Sequence, residues 1–359
     1  MNKQSISNLQ LGLLIIGFLL GTSIIMGGAP STKRDSWIAL IIGGTSGSFL
    51  LLFYYYFYQQ FPKLNLFQYQ RKILGPILGR LVNILYLWFF IHLASNTLAY
   101  FGGLMSSLYY QRTEPFILIL FLMLTIIYAT NLGIEVVARA GLIMIPVIPT
   151  LLLLVYVLLW KEYNFEFLLP IAENGIKPIL NGALTILAFP YGELIAFCVI
   201  FPHLNKTKSS KKVVFISSLF VVIFGIILVI FDTAILNDAR EMSLYPLNDV
   251  VRLINVLGFF ERIDASVMLI WVISVFAKLS ILAYSAIIGF ADLFNQIDYR
   301  PFVIPTSAII LALSLFIFDD IIQMRDFAFK TWPYYALIFE LLIPVLLFLI
   351  YLSIHRRRS

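Results

Sequence analysis

Long apolar runs separated by short polar segments occupy almost the whole chain. A helix needs roughly 17 to 25 apolar residues to cross the hydrocarbon core of a bilayer, which is about 30 Å thick. No segment between the runs has the composition of a soluble domain. The pattern predicts an all-α polytopic membrane protein, a single transmembrane domain over residues 1–359 with ten membrane-spanning helices. The predicted helices cover residues 10–29, 36–58, 81–110, 115–133, 138–160, 180–203, 213–235, 263–290, 301–318 and 333–355.

Two of the connecting segments have an amphipathic pattern. Residues 61–81 alternate basic and apolar side chains, which is typical of a segment that lies along the membrane interface. Residues 237–264 form the longest loop on the opposite side, where apolar side chains recur at helical spacing from Leu247 to Leu257. We expect the first segment to lie on the cytoplasmic interface and the second to contain a short helix.

Composition supports this class, and the distribution of charge sets the orientation. The chain is 61% hydrophobic and 12% charged, whereas soluble domains carry about 25% charged residues. Positively charged loops stay in the cytoplasm, so we expect both termini to be cytoplasmic. The net charge of +6 is then a topology signal, and we expect no nucleic-acid partner. The cations on the side of the termini are Lys3, Lys63, Arg71, Lys72, Arg80, Arg139, Lys206, Lys208, Lys211, Lys212, Arg300, Arg356, Arg357 and Arg358.

Two of the ten predicted helices carry residues that interrupt regular winding. The first reads LGLLIIGFLLGTSIIMGGAP, and the sixth contains FPYGE, residues 189–193. These are corresponding positions if residues 10–160 and 180–355 are two five-helix halves, and the halves then have inverted orientations. Paired interruptions of this kind indicate a transporter-type binding site at mid-membrane depth. The alternative is that the glycines of the first helix only allow close helix packing.

The order of three motifs resembles a known family. FPYGE in the sixth helix is followed by FFERID at 259–264 and by FAKLS at 276–280, an order similar to the B subunits of bacterial spore germinant receptors, within the amino acid–polyamine–organocation transporter superfamily. This resemblance implies a leucine-transporter-like fold of five plus five inverted helices, with a ligand between helices 1, 3, 6, 8 and 10. It also implies an A subunit and a lipoprotein C subunit as partners, and the spore inner membrane as the location.

A small zwitterionic ligand needs donors for its carboxylate and acceptors for its ammonium group. Backbone N–H groups at a break near Gly21 would supply the donors, and carbonyls around Ala188 and Phe189 would supply the acceptors. The aromatic rings at positions 189 and 191 would close over the ligand. The predicted ligand-binding residues on the first and sixth helices are Gly21, Thr22, Ser23, Phe189, Pro190, Tyr191 and Gly192.

Glu193 lies at the start of the second half of the sixth helix, and a charge there needs a partner. Lys278, near the middle of the eighth predicted helix, is the expected one. Its ammonium group would replace the sodium ion bound by coupled relatives of this fold, so we predict no sodium dependence. The alternatives are a structural ion pair and snorkelling of Lys278 to the lipid edge. Asp232 and Glu340, near the ends of their predicted spans, are expected to be interfacial.

The third predicted helix carries polar side chains on one face, among them Asn96 and Tyr100. They either line the ligand pocket or hydrogen-bond neighbouring helices, and the sequence leaves both interpretations open.

Enzyme chemistry has no support in the sequence. His92, His203 and His355 are too scattered for a metal site, and the HExxH, phosphate-loop and Cys–His patterns are absent. We therefore expect no enzymatic activity, cofactor or metal. The leading hypothesis is a receptor subunit that senses a small nutrient, amino-acid-like, and triggers spore germination. The alternatives are a proton-coupled amino acid transporter acting through Glu193 and Lys278, and a ligand-gated ion channel.

Overall fold

The computed structural model describes residues 4–26, 30–205, 207, 209–254 and 263–356. These residues are helical except for connecting turns and one isolated β-bridge between Ile6 and Leu204. The α-helices are α1 Asn8–Met26, α2 Ser36–Gln59, α3 Leu66–Leu74, α4 Pro76–Leu108, α5 Pro115–Leu132, α6 Ile134–Met144, α7 Val147–Leu158, α8 Ile176–Ile186, α9 Phe197–Ile200, α10 Ser210–Leu236, α11 Ala239–Met242, α12 Pro246–Arg252, α13 Ile263–Leu293, α14 Val303–Phe316, α15 Ile321–Asp326, α16 Trp332–Leu337 and α17 Ile343–Arg356.

Eight helical segments within the described ranges are long and apolar enough to cross a membrane, and two apolar helices, Asn8–Gly21 and Arg300–Phe316, are shorter. Each of the ten predicted runs overlaps one of these segments. The multi-pass, all-helical class is therefore confirmed, whereas a count of ten spans stays a prediction. The eight long segments are Thr32–Gln59, Pro76–Leu108, Pro115–Leu132, Ile134–Leu158, Ile176–His203, Ser210–Leu236, Ala265–Leu293 and Ile321–Ile354.

The last long segment begins twelve residues earlier than the sequence predicts. Asp320 caps it, because its carboxylate accepts hydrogen bonds from the backbone N–H groups of Ile322 and Gln323 at 2.8 and 2.7 Å. Pro333, which resembles a helix start in the sequence, lies at the second position of α16, after a π-helical turn. The chain thus continues in helical form through the proline, and residues after it lie deeper in the segment than predicted.

The helices pack in two groups that meet at α1 and α13. One group consists of α1, α2, α8 and α10, in which α2 contacts both α8 and α10 and α1 contacts α10. The other consists of α4, α5, α13 and α14, in which α4 contacts the remaining three. Contact between α1 and α13 joins the groups. Lys278 of α13 is fully buried at this junction, where it packs against Gly21 of α1.

The short helix α3 anchors the segment between α2 and α4. Asn65 and Gln68 form a reciprocal capping box, with bonds of 3.0 and 3.1 Å. Arg71 donates to Asp292 of α13 at 2.7 Å, and Asn83 of α4 donates to the same carboxylate at 3.1 Å. The amphipathic segment therefore ties α4 to the end of α13.

The short helix predicted in the loop of residues 237–264 is confirmed as α12, which ends at Arg252. Residues 255–262, including most of the FFERID motif, lie outside the described part of the chain.

The amino-terminal segment is held against the end of the sixth apolar helix. The N–H of Ile6 donates to the carbonyl of His203, and the N–H of Asn205 donates to the carbonyl of Ile6, both at 2.9 Å. Gln4 adds a side-chain bond to the hydroxyl of Tyr299 at 3.1 Å. Residues 4–6 thus link elements that are distant in sequence.

Candidate functional site

The sixth apolar helix is broken at the FPYGE motif, as the sequence predicts. Helix α8 gives way to a π-helical turn, Leu187–Tyr191, and then to a 3-10 turn, Gly192–Ala196, before α9. Phe189 leaves helical geometry altogether, with φ −131° and ψ 112°, immediately before Pro190. We call residues 187–196 the broken segment. All of its residues from Ala188 onward are buried, so the irregular backbone is enclosed by protein, as it must be inside a bilayer.

The first helix is not broken where the sequence predicts. Helix α1 continues without interruption through residues 21–23 to Met26, so the expected unwinding there is wrong. A Cβ atom on Gly21 would lie 2.8 Å from Cβ of Lys278 and 3.2 Å from the carbonyl oxygen of Ser274. Close packing against α13 is therefore the reason for glycine at this position. Thr22 and Ser23 lie on the same helix, with side chains outside the described part.

A small cavity of about 90 Å³ lies against the broken segment. Phe189, Pro190 and Tyr191 line it, whereas Gly21, Asn96, Tyr100 and Gly192 do not. We call it the broken-helix cavity. It opens between α1, α2, α7, α8, α10 and α12, so it does not lie between helices 1, 3, 6, 8 and 10 as the resemblance implies. The other lining residues are Leu20, Leu40, Leu152, Tyr156, Ile186, Val221, Gly225, Leu228, Val229, Asp232 and Leu247.

The broken-helix cavity is apolar apart from three polar side chains. Asp232 is 8% exposed and accepts a hydrogen bond from the hydroxyl of Tyr156 at 2.5 Å. The hydroxyl of Tyr191 has no hydrogen-bond partner among the described residues. Asp232 is therefore a buried cavity residue, four residues before the end of α10, and its interfacial assignment from the sequence stays a prediction. A mostly apolar pocket with a few convergent polar groups is typical of a small-molecule site.

Glu193 and Lys278 form the predicted ion pair. Nζ of Lys278 lies 2.5 Å from Oε2 of Glu193, and both side chains are fully buried. The ammonium group also lies over two aromatic rings, 5.2 Å from the centroid of Phe18 and 4.8 Å from that of Phe189. Such cation–π contacts stabilise a desolvated charge. Snorkelling of Lys278 is excluded, and the pair joins α13 to the broken segment.

Glu340 is also fully buried, and its interfacial assignment is wrong because it does not lie near an end of its helical segment. The early start of the last segment places it in the middle of that segment, on the π-helical turn Ile338–Leu342. Its carboxyl group rests on Gly192, where a Cβ atom would lie only 2.1 Å from Oε2. The hydroxyl of Tyr54 donates to the carbonyls of Gly192 and of Glu340. Glycine at position 192 therefore admits a second carboxyl group to the broken segment.

Asn96 and Tyr100 lie one turn apart on α4 and are both buried. Neither amide atom of Asn96 has a hydrogen-bond partner in the described ranges. The ring of Tyr100 stacks on Phe318 with centroids 5.9 Å apart, and its phenol is close enough to Glu193 to be influenced by that charge. The face of α4 that carries them is thus directed toward the ion pair, away from the broken-helix cavity.

A second, larger cavity of about 740 Å³ lies at the amino terminus. We call it the terminal cavity; Gln4, Lys63, His203 and Tyr284 are among its lining residues. Five aromatic side chains separate it from the ion pair. Phe18 contacts Phe197 at 5.6 Å between ring centroids, and Phe201 contacts the two tyrosines at 5.2 and 5.4 Å. This aromatic cluster comprises Phe18, Tyr55, Tyr58, Phe197 and Phe201.

The described part of the chain contains no group of three or more His, Cys, Asp and Glu side chains suited to a metal ion. His92 packs among aromatic rings, 5.5 Å from Trp88 between centroids, and His203 shares a 3.1 Å hydrogen bond with Tyr284. The sequence did not single out Asp232 or Glu340 as site residues. Both are isolated acidic residues within long apolar runs, and this pattern is the sequence signal that could have identified them as candidate site residues.

Solved structures with a similar fold are membrane transporters. The nucleobase-cation-symport-1 family transporter Mhp1, closed with bromovinylhydantoin bound, has a TM-score of 0.68 at 12% identity, over 93% of this chain and 76% of that chain. MhsT in complex with L-phenylalanine has a TM-score of 0.68 at 14% identity, over 98% of this chain and 100% of that chain. These likenesses establish the fold class.

Sequence comparison identifies the family. Spore germination protein KB of Bacillus subtilis (strain 168) is 31% identical over 364 residues, which cover 100% of this chain and 98% of the relative. Spore germination protein A2 of the same organism is 24% identical over 94% of this chain and 93% of the relative. A family model described as spore germination protein matches residues 5–324. The chain belongs to the spore germination protein family, with the fold of a membrane transporter.

Proposed function

We propose that this chain is the membrane subunit of a nutrient germinant receptor, which binds a small amino-acid-like germinant and thereby triggers spore germination. The observation that carries the proposal is the broken segment, because its residues 189–191 line a buried cavity. Irregular backbone at membrane depth is tolerated only where it is buried in protein or lines a cavity, and this segment meets both conditions. Membership of the spore germination family supports the germination role.

The chemistry of the broken-helix cavity suits a small ligand with an apolar body and a polar head. Its walls are aliphatic, and its polar groups are the carboxylate of Asp232 and the hydroxyls of Tyr156 and Tyr191. Backbone carbonyls around Ala188 and Phe189 would accept hydrogen bonds from the ammonium group. A ligand shifts a conformational equilibrium only by binding one arrangement more tightly than the other, so the broken segment would change geometry when the cavity is filled.

We further propose ten spans arranged as two inverted five-helix repeats, with both termini in the cytoplasm. The packing groups support this organisation, since α1, α2, α8 and α10 contain the first two helices of each proposed half. The second group contains the next two helices of each half. The transporters with similar folds add support at the level of architecture.

The proposed partners are an A subunit and a lipoprotein C subunit, in the spore inner membrane. Family membership supports this assembly, as does the multi-pass helical structure. No sodium ion is proposed for the site, because the ammonium group of Lys278 already supplies a buried positive charge between α1, α13 and the broken segment. Replacing external sodium by choline should leave the germination response unchanged.

The decisive experiment is deletion of the chain in its sporulating host, followed by germination tests on single nutrients. Loss of the response to one nutrient or a small set, restored by the wild-type chain, is expected. Complementation with Tyr191→Ala should fail for the same nutrients, whereas Tyr334→Ala, at an exposed position, should restore them. A full response to every nutrient after deletion would contradict the proposal, provided that no second copy of the gene is present.

A proton-coupled amino acid transporter is the second candidate. The buried ion pair and the presence of two separate cavities, one small and one large, favour it. Uptake of labelled amino acids by purified protein in vesicles, driven by a proton gradient, would support transport. Ligand-dependent ion current without uptake would instead indicate the channel alternative.

A further inference from the structure

Glu340 carries a buried carboxyl group that lies near the ion pair of Glu193 and Lys278 but is not part of it. Its side chain is 0% exposed. Neither Oε1 nor Oε2 accepts a hydrogen bond from any residue that the structure describes. It lies in the middle of the last apolar segment, on the turn Ile338–Leu342. An ionised carboxylate at such a place loses its hydration and gains no donor, which costs several kcal/mol.

The ionisable groups around Glu340 do not balance its charge. Glu193 and Lys278 act on it electrostatically from the broken segment and from α13. Tyr54 of α2 and Tyr86 of α4 are also within its electrostatic reach, but both phenol hydroxyls already donate to backbone carbonyls. The single ammonium group lies 2.5 Å from Glu193. Two carboxyl groups therefore share one cation, and one negative charge is left over when both are ionised.

The geometry favours a proton over a larger cation as the group that removes this charge. Oε2 of Glu340 would be 2.1 Å from a Cβ atom at position 192, so the carboxyl group already rests on the backbone of Gly192. A metal or ammonium ion would have to force these elements apart, whereas a proton needs no additional space. Oε1 of Glu193 meets no geometric hydrogen-bond criterion with the described residues, although the indole of Trp332 lies close enough to act on this carboxylate.

We propose that Glu340 is a proton-binding site, occupied when the last helical segment is packed on Gly192. A proton from water forms an O–H bond with one carboxylate oxygen, and the set Glu193, Lys278 and Glu340 then has no net charge. When the last segment separates from Gly192 and water enters, the O–H bond breaks and the proton returns to water. This site does not depend on germinant binding in the broken-helix cavity.

Infrared difference spectroscopy on the purified full-length chain tests the proposal without any ligand. At neutral pH, the wild-type protein should show the C=O band of a protonated carboxyl group. That band should be lost in Glu340→Gln, and it should also weaken in Glu193→Gln, because Lys278 and an ionised Glu340 then balance each other without a proton. Asp232→Asn controls for the other acid buried near the broken segment. Absence of the band at neutral pH, or its persistence in Glu340→Gln, would overturn the proposal.

A measurement on the unchanged sequence covers the case in which Glu340→Gln does not fold. Glutamate labelled with ¹³C at the side-chain carboxyl shifts the band if it arises from a glutamic acid, and labelled aspartate leaves it in place. A band that shifts only with labelled aspartate would also overturn the proposal. Because neither measurement uses a nutrient, a negative result here leaves the proposed receptor function intact, and a failed germination test leaves the proton site intact.

Discussion

At the scale of single residues, the charge of Lys278 is paired with the carboxylate of Glu193, and both side chains are fully buried. Removing one member of a buried ion pair leaves an isolated charge and destabilises a protein by about 3–5 kcal/mol, whereas removing both costs less. We therefore expect Glu193→Gln and Lys278→Met each to lower the thermal unfolding midpoint in detergent strongly. The double variant should be more stable than either single variant.

The exposed pair of Lys330 and Asp326 provides the control for this prediction. Its atoms lie 2.7 Å apart, but the side chains are 72% and 54% exposed. Surface pairs contribute about 0–1 kcal/mol, so Lys330→Met should leave the midpoint nearly unchanged. Equal effects of Lys330→Met and Lys278→Met would show that the inner pair is hydrated, which contradicts its burial.

The position of Tyr191 depends on the absence of a side chain at Gly47. A Cβ atom on Gly47 would lie 2.3 Å from Cβ of Tyr191, so Gly47→Ala must push the broken segment toward its cavity. Overpacking of this kind costs about 1–3 kcal/mol, and about 1.4 kcal/mol corresponds to tenfold in affinity. We expect Gly47→Ala to raise the germinant concentration for half-maximal germination by about tenfold.

Gly103→Ala is the matched substitution for Gly47→Ala, since it adds the same methyl group within another long helix. The nearest atom to its Cβ would be Cε of Met324 at 3.7 Å, an ordinary contact. The half-maximal concentration should therefore stay at the wild-type value. A Gly47→Ala variant that responds as Gly103→Ala does would remove Tyr191 from the proposed ligand site.

At the scale of elements, helix α3 depends on its capping box. Asn65→Ala removes the acceptor for the N–H of Gln68, which typically costs about 1 kcal/mol. Arg71 would then be held less firmly against Asp292, so the contact between α3 and α13 should weaken. Hydrogen exchange is expected to become faster in α3 and to stay unchanged in α5. Asn65→Asp keeps an acceptor at the cap and should exchange like the wild type; faster exchange there would contradict the role of the cap.

Local patterns predicted the broken segment well because its cause is local. Pro190 lacks a backbone donor and Gly192 lies two residues later, so a regular helix was excluded from the sequence alone. The break predicted at the glycines of α1 was wrong, because glycine is found both where helices unwind and where they pack closely. Only the position of Lys278 in space shows that Gly21 serves packing.

Glu340 and Asp232 could not be placed from the sequence, because their surroundings come from distant parts of the chain. The apolar pattern predicts that the last span begins at residue 333, whereas helical structure already begins at Ile321. That shift moves Glu340 from an end to the middle. The cavity around Asp232 is assembled from six helices, and apolar periodicity does not specify how helices are arranged around one another.

At the scale of the whole molecule, a chain of aromatic contacts links the terminal cavity to the ion pair. The aromatic cluster connects Tyr58, which lines the terminal cavity, to Phe18, whose ring lies under the ammonium group of Lys278. Contacts of residues 4–6 with Tyr299, His203 and Asn205 hold the terminal side together. Opening of the terminal side requires these hydrogen bonds to break. The amino-terminal segment should therefore control the access of water to the buried residues next to the terminal cavity.

Cys198 provides a direct probe of that opening. It is the only cysteine in the sequence, it is 1% exposed, and the next residue, Val199, lines the terminal cavity. Ile6→Pro removes the N–H that donates to His203, and a lost hydrogen bond of about 0.5–1.5 kcal/mol corresponds to a two- to tenfold larger open population. Maleimide labelling of Cys198 should accelerate by that factor. Ile6→Val keeps the N–H and should label at the wild-type rate, so equal rates for the proline and valine variants would show that the amino-terminal segment does not control access to the site.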